Sequence, residues 1–390
     1  MLASYVQRYC KLERIYFGRP AAEAVAAEAA LLGVERILLL SNRALAREAN
    51  LLGGIVAALG RRCVGSLATL KAQSPSADVL AVAQAAREAK ADLLLAVGGG
   101  SVIDTAKVAL VALIKGFESL AELRTLTPYA EVDQSRWPRE AGASPVRLVV
   151  VPTTLSSAEF NWGASFTDEE APKKYAVGHP LMAPQAVVLD PAATLNAPDA
   201  LYFGTGMKAV DHAAERLASL LGNPFGDATA AEALTLLERA LRRIKRDRGD
   251  LAARLDAQTG TWLSVAGQTA GVPVGASHPI GRILSNLSGV PHGFSTGLIL
   301  PSVMRWNAPA NPERQQRVAA ALGAPDRDAA DSIAALTAEL GLPTRLRDVG
   351  VTKSIFPEVA RSAIGESGMR TNPRPIRSEA DIIAILEMAW

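Results

Sequence analysis

Three consecutive glycines, Gly98, Gly99 and Gly100, form the first part of the chain whose composition indicates chemistry. Glycine has no Cβ, so the backbone here can approach a ligand closely. The glycines follow an apolar segment of strand length, residues 91–97, and precede a segment of helical composition, residues 107–113. A helix that begins at such a turn directs unpaired N–H groups and the positive end of its dipole toward the turn. The pattern predicts an anion site, most simply a site for a phosphate group.

Ser101 and Asp104 allow a second interpretation of the same turn. Ser101 is expected to cap the helix, with Asp104 in place of the acidic residue of a capping box. Capping does not require three glycines, so both interpretations can hold, and we expect both residues to contribute to the phosphate site. The turn is not a Walker A loop, because Gly-Lys-Ser/Thr is missing. It also departs from Gly-x-Gly-x-x-Gly, because Ile103 occupies the last glycine position.

Asn42 and Arg43 directly follow an earlier buried strand, predicted over residues 36–41. In dinucleotide-binding folds, an acidic residue at this place binds the ribose 2′-OH and repels a 2′-phosphate. Asn42 removes that repulsion, and Arg43 can neutralise a 2′-phosphate. NADPH is therefore expected to be tolerated or preferred. The alternative is that Arg43 is an exposed arginine without a ligand.

Strand and helix patterns alternate in the first half of the chain and give way to helical periodicity in the second half, as in residues 228–245 and 251–265. The pattern predicts the α/β class, with a Rossmann-like dinucleotide-binding domain over residues 1–195 and an all-helical domain over residues 196–390. Residues 117–145 are polar and contain Pro and Trp, which predicts a loop.

The bulk composition excludes several classes of function. The chain has 390 residues and a formal net charge of +2, without a Lys/Arg block suited to nucleic acid. No window reaches the roughly eighteen apolar residues of a membrane span. The only cysteines, Cys10 and Cys63, lack metal-binding spacing. We expect a cytoplasmic protein that acts on a small molecule.

The stretch Gly98–Lys107 resembles the nucleotide-binding signature of the iron-containing alcohol dehydrogenases, a superfamily that includes maleylacetate reductases and, more distantly, glycerol dehydrogenases and dehydroquinate synthases. Pro152–Glu159 resembles a second signature, the hydroxyl-rich loop beside the nicotinamide. The resemblance implies a homodimer, and NAD(P)H bound with its pyrophosphate on Gly98–Ser101. It also implies cofactor contacts from three hydroxyls, which can donate hydrogen bonds without adding charge: those of Thr153, Thr154 and Ser156. The alternative for this loop is an ordinary Ser/Thr turn.

The resemblance also implies a metal site, from which this chain departs. In the family, an Asp, a His four residues later and two further His fourteen residues apart hold a divalent metal. His212, His278 and His292 fall at the histidine positions, and we expect them to share one pocket facing the nicotinamide. Lys208 stands where the Asp is expected, and an ammonium repels a cation. Asp211 is no easy substitute, because adjacent residues point about 100° apart on a helix.

We therefore expect no catalytic metal, and any residual metal would bind at the three histidines. The fourth histidine, His179, is interpreted as a loop residue. Arg282 stands four residues after His278, where many family members carry another histidine. Within a cleft it would bind a carboxylate or phosphate on the substrate, whereas on the surface it would be a solvated arginine. Maleylacetate reductases also lack the carboxylate ligand and reduce a dianionic oxo acid, but they typically carry Asn where Lys208 stands.

These expectations combine into an NAD(P)H-dependent reductase that transfers hydride to a carbonyl or imine carbon of a small anionic substrate. Lys208 would replace the metal as a charged hydrogen-bond donor, while the histidines orient the substrate or relay a proton. Three alternatives stay open: a metal-dependent alcohol dehydrogenase, an enzyme that uses NAD transiently in a lyase-like reaction, and a catalytically silent nucleotide-binding homologue.

Overall fold

The computed structural model describes residues 5–7, 9, 12–132, 145–171 and 173–390. Contacts between Cα atoms divide the chain into two compact units. The first unit is Tyr9–Asn196 and the second is Ala197–Trp390, to which residues 5–7 also belong. The first unit contains a parallel sheet with helices, and the second is helical. The predicted α/β fold class is thus confirmed.

The first unit is organised around a six-stranded sheet in the order β1-β8-β5-β4-β2-β3, in which every paired strand is parallel. The register pairs Leu93 with Arg147 and Gly98 with Pro152. The carboxyl ends of β4 and β5 are therefore neighbours, and the segments that follow them begin side by side. The strands of this unit, with an antiparallel pair β6–β7, are β1 Arg14–Phe17, β2 Ile37–Asn42, β3 Cys63–Leu70, β4 Leu93–Gly98, β5 Arg147–Pro152, β6 Gly163–Asp168, β7 Lys173–Gly178 and β8 Ala186–Leu189.

Helices cover the central strands, whose side chains are buried as the unbroken apolar runs predict. One face of the sheet packs against the first and third helices, in a cluster that includes Val25, Ile55, Leu95 and Val149. The helices of this unit are α1 Ala21–Leu32, α2 Arg43–Arg47, α3 Ala49–Leu59, α4 Ser76–Glu88, α5 Gly100–Lys115 and α6 Leu120–Leu123.

Two local predictions are wrong. The residue that caps α5 is Gly99, in an extended conformation and without a side-chain hydrogen bond, so Ser101 does not cap the helix and Asp104 completes no capping box. Within residues 117–145, predicted as a loop, Ser119 and Glu122 form a capping box that begins the short helix α6. Residues 133–144 of that segment lie outside the described residues, as does Cys10.

The hairpin of β6 and β7 is an element that the sequence interpretation missed. It is joined to α5 by Lys107, which is fully buried. The Lys107 ammonium donates to the carbonyl of Ala158, to the carbonyl of Asn161 at 2.6 Å and to the carbonyl of Gly163 at 2.9 Å. These bonds fix the chain between the hydroxyl-rich loop and β6, and they offset the cost of burying the charge.

The second unit is built from helices with apolar faces. A core cluster that includes Ile280, Leu298, Val303, Val359 and Ile385 holds several of them together. None of the described helices is both long enough and apolar enough to cross a membrane. The helices are α7 Asp199–Ala218, α8 Pro224–Arg246, α9 Leu251–Ala266, α10 Ser277–Ser288, α11 His292–Asn307, α12 Pro312–Ala321, α13 Ala329–Glu339, α14 Phe356–Ala363, α15 Ser367–Thr371 and α16 Glu379–Ala389.

Candidate active site

The glycine turn and the hydroxyl-rich loop meet at the carboxyl edge of the sheet. A Cβ placed on Gly99 would lie 3.2 Å from both Cγ2 and Oγ1 of Thr154, and one placed on Gly100 would lie 3.1 Å from Cβ of Ser156. The absence of a Cβ at these two glycines lets the turn lie close to the Thr154 and Ser156 side chains. The first turn of α5, with its unpaired N–H groups, opens onto this junction. We call the junction of the glycine turn with the loop Thr153–Ser157 the nucleotide cradle.

Two hydroxyls of the nucleotide cradle are buried without a protein partner. Thr154 is 3% exposed and Ser157 is 2% exposed, and neither hydroxyl makes a hydrogen bond to the described residues. Ser157 also has φ 61°, a left-handed conformation that is uncommon outside glycine. A buried hydroxyl without a partner costs about 1–3 kcal/mol. The cradle therefore fits a bound phosphate-containing group that accepts hydrogen bonds from both hydroxyls.

The other residues predicted at the cradle make hydrogen bonds within the protein, although Thr153 does so through its backbone alone among the described residues. The Thr153 backbone N–H donates to the Gly98 carbonyl at 3.0 Å. The Ser156 hydroxyl accepts from the Ala158 N–H at 3.4 Å. Ser101 and Asp104 lie on α5, where the Ser101 hydroxyl accepts from the Gln73 N–H at 3.1 Å and Asp104 accepts from the N–H and the hydroxyl of Ser165 at 3.1 and 3.0 Å. Ser157, which the sequence interpretation did not single out, presents a freer hydroxyl than Ser156.

Asn42 and Arg43 lie at the end of β2, the neighbour of β4 in the sheet. Asn42 is the N-cap of α2, and its Oδ1 accepts from the Leu45 N–H at 3.0 Å. The Arg43 side chain is exposed at the first position of the same helix. The carboxyl ends of parallel neighbours lie at one edge of a sheet, so both residues lie on the same edge as the glycine turn.

Three histidines come together in the second unit. The ring centroids of His212 and His278 are 4.7 Å apart, and those of His278 and His292 are 5.1 Å apart. We call these three rings the imidazole cluster. His179 belongs to the first unit, where its Nδ1 accepts from the Leu181 N–H at 3.2 Å.

Close helix contacts bring these histidines together. His212 lies in α7, His278 is the second residue of α10, and His292 begins α11. A Cβ on Gly293 would lie 2.7 Å from the Gly204 backbone, so only glycine lets α11 begin so near α7. A Cβ on Gly281 would likewise lie 2.8 Å from Thr296, where α10 contacts α11.

Burial and cationic neighbours keep two of the imidazoles, those of His212 and His278, neutral. Burial lowers the pKa of His212 well below its ordinary value, and the neighbouring His278, Arg216 and Lys208 lower it further. Burial also lowers the pKa of His278 well below its ordinary value, followed by the charges of Lys208 and Arg282. At neutral pH each of these two rings therefore offers one nitrogen donor and one nitrogen acceptor.

Two buried carboxylates, Asp211 and Glu215, lie behind the imidazole cluster. Asp211 accepts from the Ser277 hydroxyl at 2.5 Å, and its other oxygen lies 3.4 Å from Nδ1 of His278. Glu215 accepts from the N–H groups of Ser277 and His278 at 2.8 and 3.1 Å. Burial raises the pKa of Asp211 to about 7. Burial and the charge of Asp211 raise the pKa of Glu215 well above its ordinary value.

Arg282 is partly neutralised by a residue that the sequence interpretation missed. Its Nη2 lies 2.7 Å from Oε1 of Glu366, and both side chains are about one-third exposed. The guanidinium nevertheless acts electrostatically on His278. Arg282 thus contributes positive charge near the imidazole cluster, with one of its hydrogen-bonding sites occupied.

Both units match models of known protein families. The family described as "Iron-containing alcohol dehydrogenase" matches residues 13–191, and that described as "Fe-containing alcohol dehydrogenase family, C-terminal" matches residues 203–390. The chain belongs to the iron-containing alcohol dehydrogenase family. This confirms the resemblance seen at the glycine turn.

Individual relatives within the iron-containing alcohol dehydrogenase family align over nearly the whole chain. A maleylacetate reductase of Sphingobium indicum is 32% identical over 379 residues, which cover 96% of this chain and 95% of the relative. A 4-hydroxybutyrate dehydrogenase of Cupriavidus necator is 30% identical over 396 residues, covering 97% and 98%. The predicted place of this chain near maleylacetate reductases is confirmed, as is its assignment as an oxidoreductase of alcohol and carbonyl groups.

A solved structure shares the fold. The crystal structure of a sulfoacetaldehyde reductase from Bifidobacterium kashiwanohense in complex with NAD+ matches with a TM-score of 0.82 and 22% identity. The match covers 100% of this chain and 98% of that chain.

The metal site that the family name implies does not suit the donors of this member. Among the described residues, no group of three or more His, Cys, Asp or Glu side chains is arranged to hold a metal ion. Lys208 lies one helical turn before His212, and its charge lowers the pKa of both His212 and His278. A divalent cation at the imidazole cluster would receive no oxygen ligand from position 208 and would be repelled by the ammonium there.

Proposed function

We propose that the protein is a reductase that uses NADH or NADPH to reduce the carbonyl or imine carbon of a small anionic substrate, without a catalytic metal. The proposal assigns cofactor binding to the first unit and stabilisation of the reduced oxygen or nitrogen to the second unit. The observation that carries it is the position of Lys208, one turn before His212, with its charge acting on two of the three imidazoles.

The nucleotide cradle supports a dinucleotide as the cofactor. Thr154 and Ser157 offer buried hydroxyls that lack protein partners in the described chain, and the start of α5 offers backbone N–H groups. A pyrophosphate accepts both kinds of hydrogen bond. The relative from Bifidobacterium kashiwanohense was solved with NAD+. When bound, the reduced nicotinamide supplies a hydride, that is, two electrons and one hydrogen nucleus.

Lys208 is assigned the role of stabilising the substrate oxygen on which negative charge develops. As a carbonyl carbon accepts hydride, its oxygen becomes an alkoxide, which a preorganised cation stabilises. The Lys208 ammonium donates a hydrogen bond to this oxygen and then transfers a proton, so the product leaves as a neutral alcohol and the amine is reprotonated from solvent. Positioned acid catalysis contributes about 10²–10⁴-fold to such reactions.

The imidazole cluster is assigned to substrate orientation. Because burial keeps His212 and His278 neutral, these rings act on the substrate as hydrogen-bonding groups and not as charges. Asp211 lies behind His278 and, in its ionised form, is a positioning residue that favours a proton on Nδ1, which leaves Nε2 of that ring as an acceptor. Such an acceptor can hold a substrate hydroxyl.

Positive charge supports an anionic substrate. Lys208 and Arg282 both act on His278, and Arg216 is buried nearby with its guanidinium donating to the carbonyls of His212 and Ser264. Glu366 offsets part of this charge at Arg282. We therefore assign the anionic group of the substrate to this positive charge, with Arg282 as its forked donor.

The experiment is a screen of short oxo acids, the matching uncharged aldehydes and the corresponding imines with NADH and NADPH. We expect oxidation of the nicotinamide that depends on the oxo acid. Lys208→Met should lower kcat at least about 100-fold while the Kd for the nucleotide stays unchanged. Lys115→Met removes an exposed helical lysine of the first unit and serves as the matched control.

Three results would overturn the proposal. Nucleotide binding without substrate-dependent oxidation across the whole screen would indicate a silent homologue. Product formation without net nicotinamide turnover would indicate a lyase-like reaction. Near-normal turnover of the Lys208→Met variant would remove Lys208 from the mechanism.

A further inference from the structure

A cavity of about 370 Å³ lies in the helical unit, lined by residues of α11, α13 and α16 and by the segment after α13. Its volume falls within the ~300–1,000 Å³ of pockets that hold small organic ligands. None of its lining residues belongs to the imidazole cluster, and neither Lys208 nor Arg282 lines it. The cavity is therefore a different place in the molecule from the candidate active site.

Part of the cavity wall is apolar and well fixed. Leu298 and Pro301 form a buried floor on α11, and Met388 and Trp390 line another side. The Trp390 Nε1–H donates to the Val351 carbonyl at 3.2 Å, which fixes its indole ring. A rigid apolar wall of this kind binds the hydrocarbon part of a ligand with little loss of side-chain entropy.

Two arginines make the rim of the cavity cationic. Arg305 and Arg345 line it and are exposed, and Arg305 is paired with Asp331 at 2.6 Å. Within the described ranges, the side chain of Arg345 makes no hydrogen bond or ion pair, and no Asp or Glu lines the cavity. A free guanidinium beside an apolar wall presents a fork of donors that matches a carboxylate.

One polar group lies deeper in the cavity. Ser302 is 2% exposed and lines the floor, and its hydroxyl has no hydrogen-bond partner in the part of the chain that the structure describes. A buried hydroxyl facing such a cavity gains a partner when a ligand brings an oxygen to it. The cavity thus combines the Ser302 hydroxyl on an apolar floor with the unpaired guanidinium of Arg345 at its rim.

We infer that this cavity binds a small monocarboxylate with an apolar body, such as an aryl- or alkyl-substituted acetate. Arg345 binds the carboxylate at the rim, the apolar body lies against Leu298, Pro301 and Trp390, and Ser302 serves ligands that carry an additional oxygen. The assignment does not depend on the reaction proposed above, because the residues of the two sites are different.

The test measures binding of phenylacetate to the full-length protein by calorimetry, with phenylacetamide as the uncharged analogue. We expect saturable 1:1 binding of phenylacetate and at least about tenfold weaker binding of phenylacetamide. Arg345→Ala should weaken phenylacetate binding by about tenfold or more. Arg361→Ala, which removes an exposed arginine that does not line the cavity, should leave it unchanged.

Ala334 provides a second variant, because it lines the cavity from α13 and is half-buried. Ala334→Trp should fill the cavity and abolish binding, whereas turnover of the oxo acid, if present, should persist. Absence of saturable phenylacetate binding would overturn the inference. So would binding that is unaffected by both Arg345→Ala and Ala334→Trp, or binding that is lost only in Lys208→Met, since that would place the ligand at the imidazole cluster.

Discussion

Oδ2 of Asp211 lies 3.4 Å from Nδ1 of His278, and the two groups belong to different helices. The other oxygen of Asp211 is held by the hydroxyl of Ser277, the residue that precedes His278. The start of α10 is therefore fastened to the middle of α7 at the point where two of the three imidazoles meet. This relationship makes Asp211 part of the site even though it points away from the side chain of His212 on α7.

The first prediction concerns the stability of this buried carboxylate. Burial raises the pKa of Asp211 from 3.8 to about 7. At pH values between these two, the folded protein keeps a proton on this carboxyl that the unfolded chain has released. Between these two values, the free energy of unfolding of the wild type falls as pH rises, because the carboxyl ionises in a dry environment. Asp211→Asn removes this dependence, so the variant should gain melting temperature relative to the wild type between about pH 4 and about pH 7.

The measurement is thermal unfolding of both proteins across that pH window. Asp326→Asn, at an exposed site, should show the same pH dependence as the wild type. A difference between Asp211→Asn and wild type that stays constant from acid to neutral pH would contradict the buried-carboxylate interpretation.

A second prediction addresses the nucleotide cradle. Thr154→Val removes a buried hydroxyl that has no protein partner among the described residues, so the folded protein should lose no stability. The Kd for NADH should rise by about tenfold, because a hydrogen bond to a charged phosphate is lost. Thr154→Ser, which keeps the hydroxyl, should retain most of the affinity.

A matched pair of glycine variants tests the same cradle by steric means. Gly99→Ala places a Cβ 3.2 Å from Thr154, whereas Gly54→Ala meets nothing within 4 Å. The first should weaken NADH binding and the second should not. Equal affinity of all of these variants for NADH would show that the nucleotide does not bind at this junction.

The third prediction concerns the choice between NADH and NADPH. Asn42→Asp keeps the cap of α2, because Asp caps helices as well as Asn, but it adds a negative charge at the end of β2. Affinity for NADPH should fall by about tenfold more than affinity for NADH. Arg43→Ala should weaken NADPH alone. Competition titrations of the two nucleotides provide the measurement, and parallel losses for both nucleotides would exclude these residues from 2′-phosphate recognition.

The fourth prediction concerns the anionic group of the substrate. If Arg282 binds it, removal of the competing carboxylate by Glu366→Gln should lower KM for the oxo acid by a few-fold, and Arg282→Ala should raise KM with a smaller effect on kcat. The uncharged aldehyde serves as the control substrate, whose KM should hardly respond. Unchanged KM in both variants would make Arg282 a surface residue paired with Glu366.

The main architecture could be predicted because it depends on long apolar runs. The strand that ends at Gly98 and the helices over residues 224–246 and 251–266 follow from local composition. The β6–β7 hairpin was missed because its stability depends on distant contacts, including the buried Lys107, which no local pattern reveals. The error at Ser101 has a similar origin, since an extended Gly99 already occupies the capping position.

The candidate site shows the same division. The spacing of His212, His278 and His292 predicted a shared pocket, and the structure brings their rings together. The contact of Asp211 with His278 could not be predicted, because helical geometry describes neighbours on one helix and gives no information about a residue on another. The pairing of Arg282 with Glu366 links residues 84 positions apart and was missed for the same reason.

The last prediction concerns the exchange of a carboxylate for an ammonium at position 208. Lys208→Asp places a carboxylate one turn before His212, on the same helical face, and completes a set of three imidazoles and one oxygen ligand. This variant should bind Co²⁺ and show the absorption spectrum of the ion in a low-symmetry site. The wild type should not bind Co²⁺ there. Equal cobalt binding by both proteins would show that the ammonium does not exclude the ion.

The most direct test is the metal content of the wild-type protein together with its turnover after treatment with a chelator. We predict far less than one iron or zinc per chain, and reduction of the oxo acid at an unchanged rate after chelation. Stoichiometric iron or zinc, with activity lost on its removal and regained on its return, would contradict the proposal that Lys208 replaces a metal ion in catalysis.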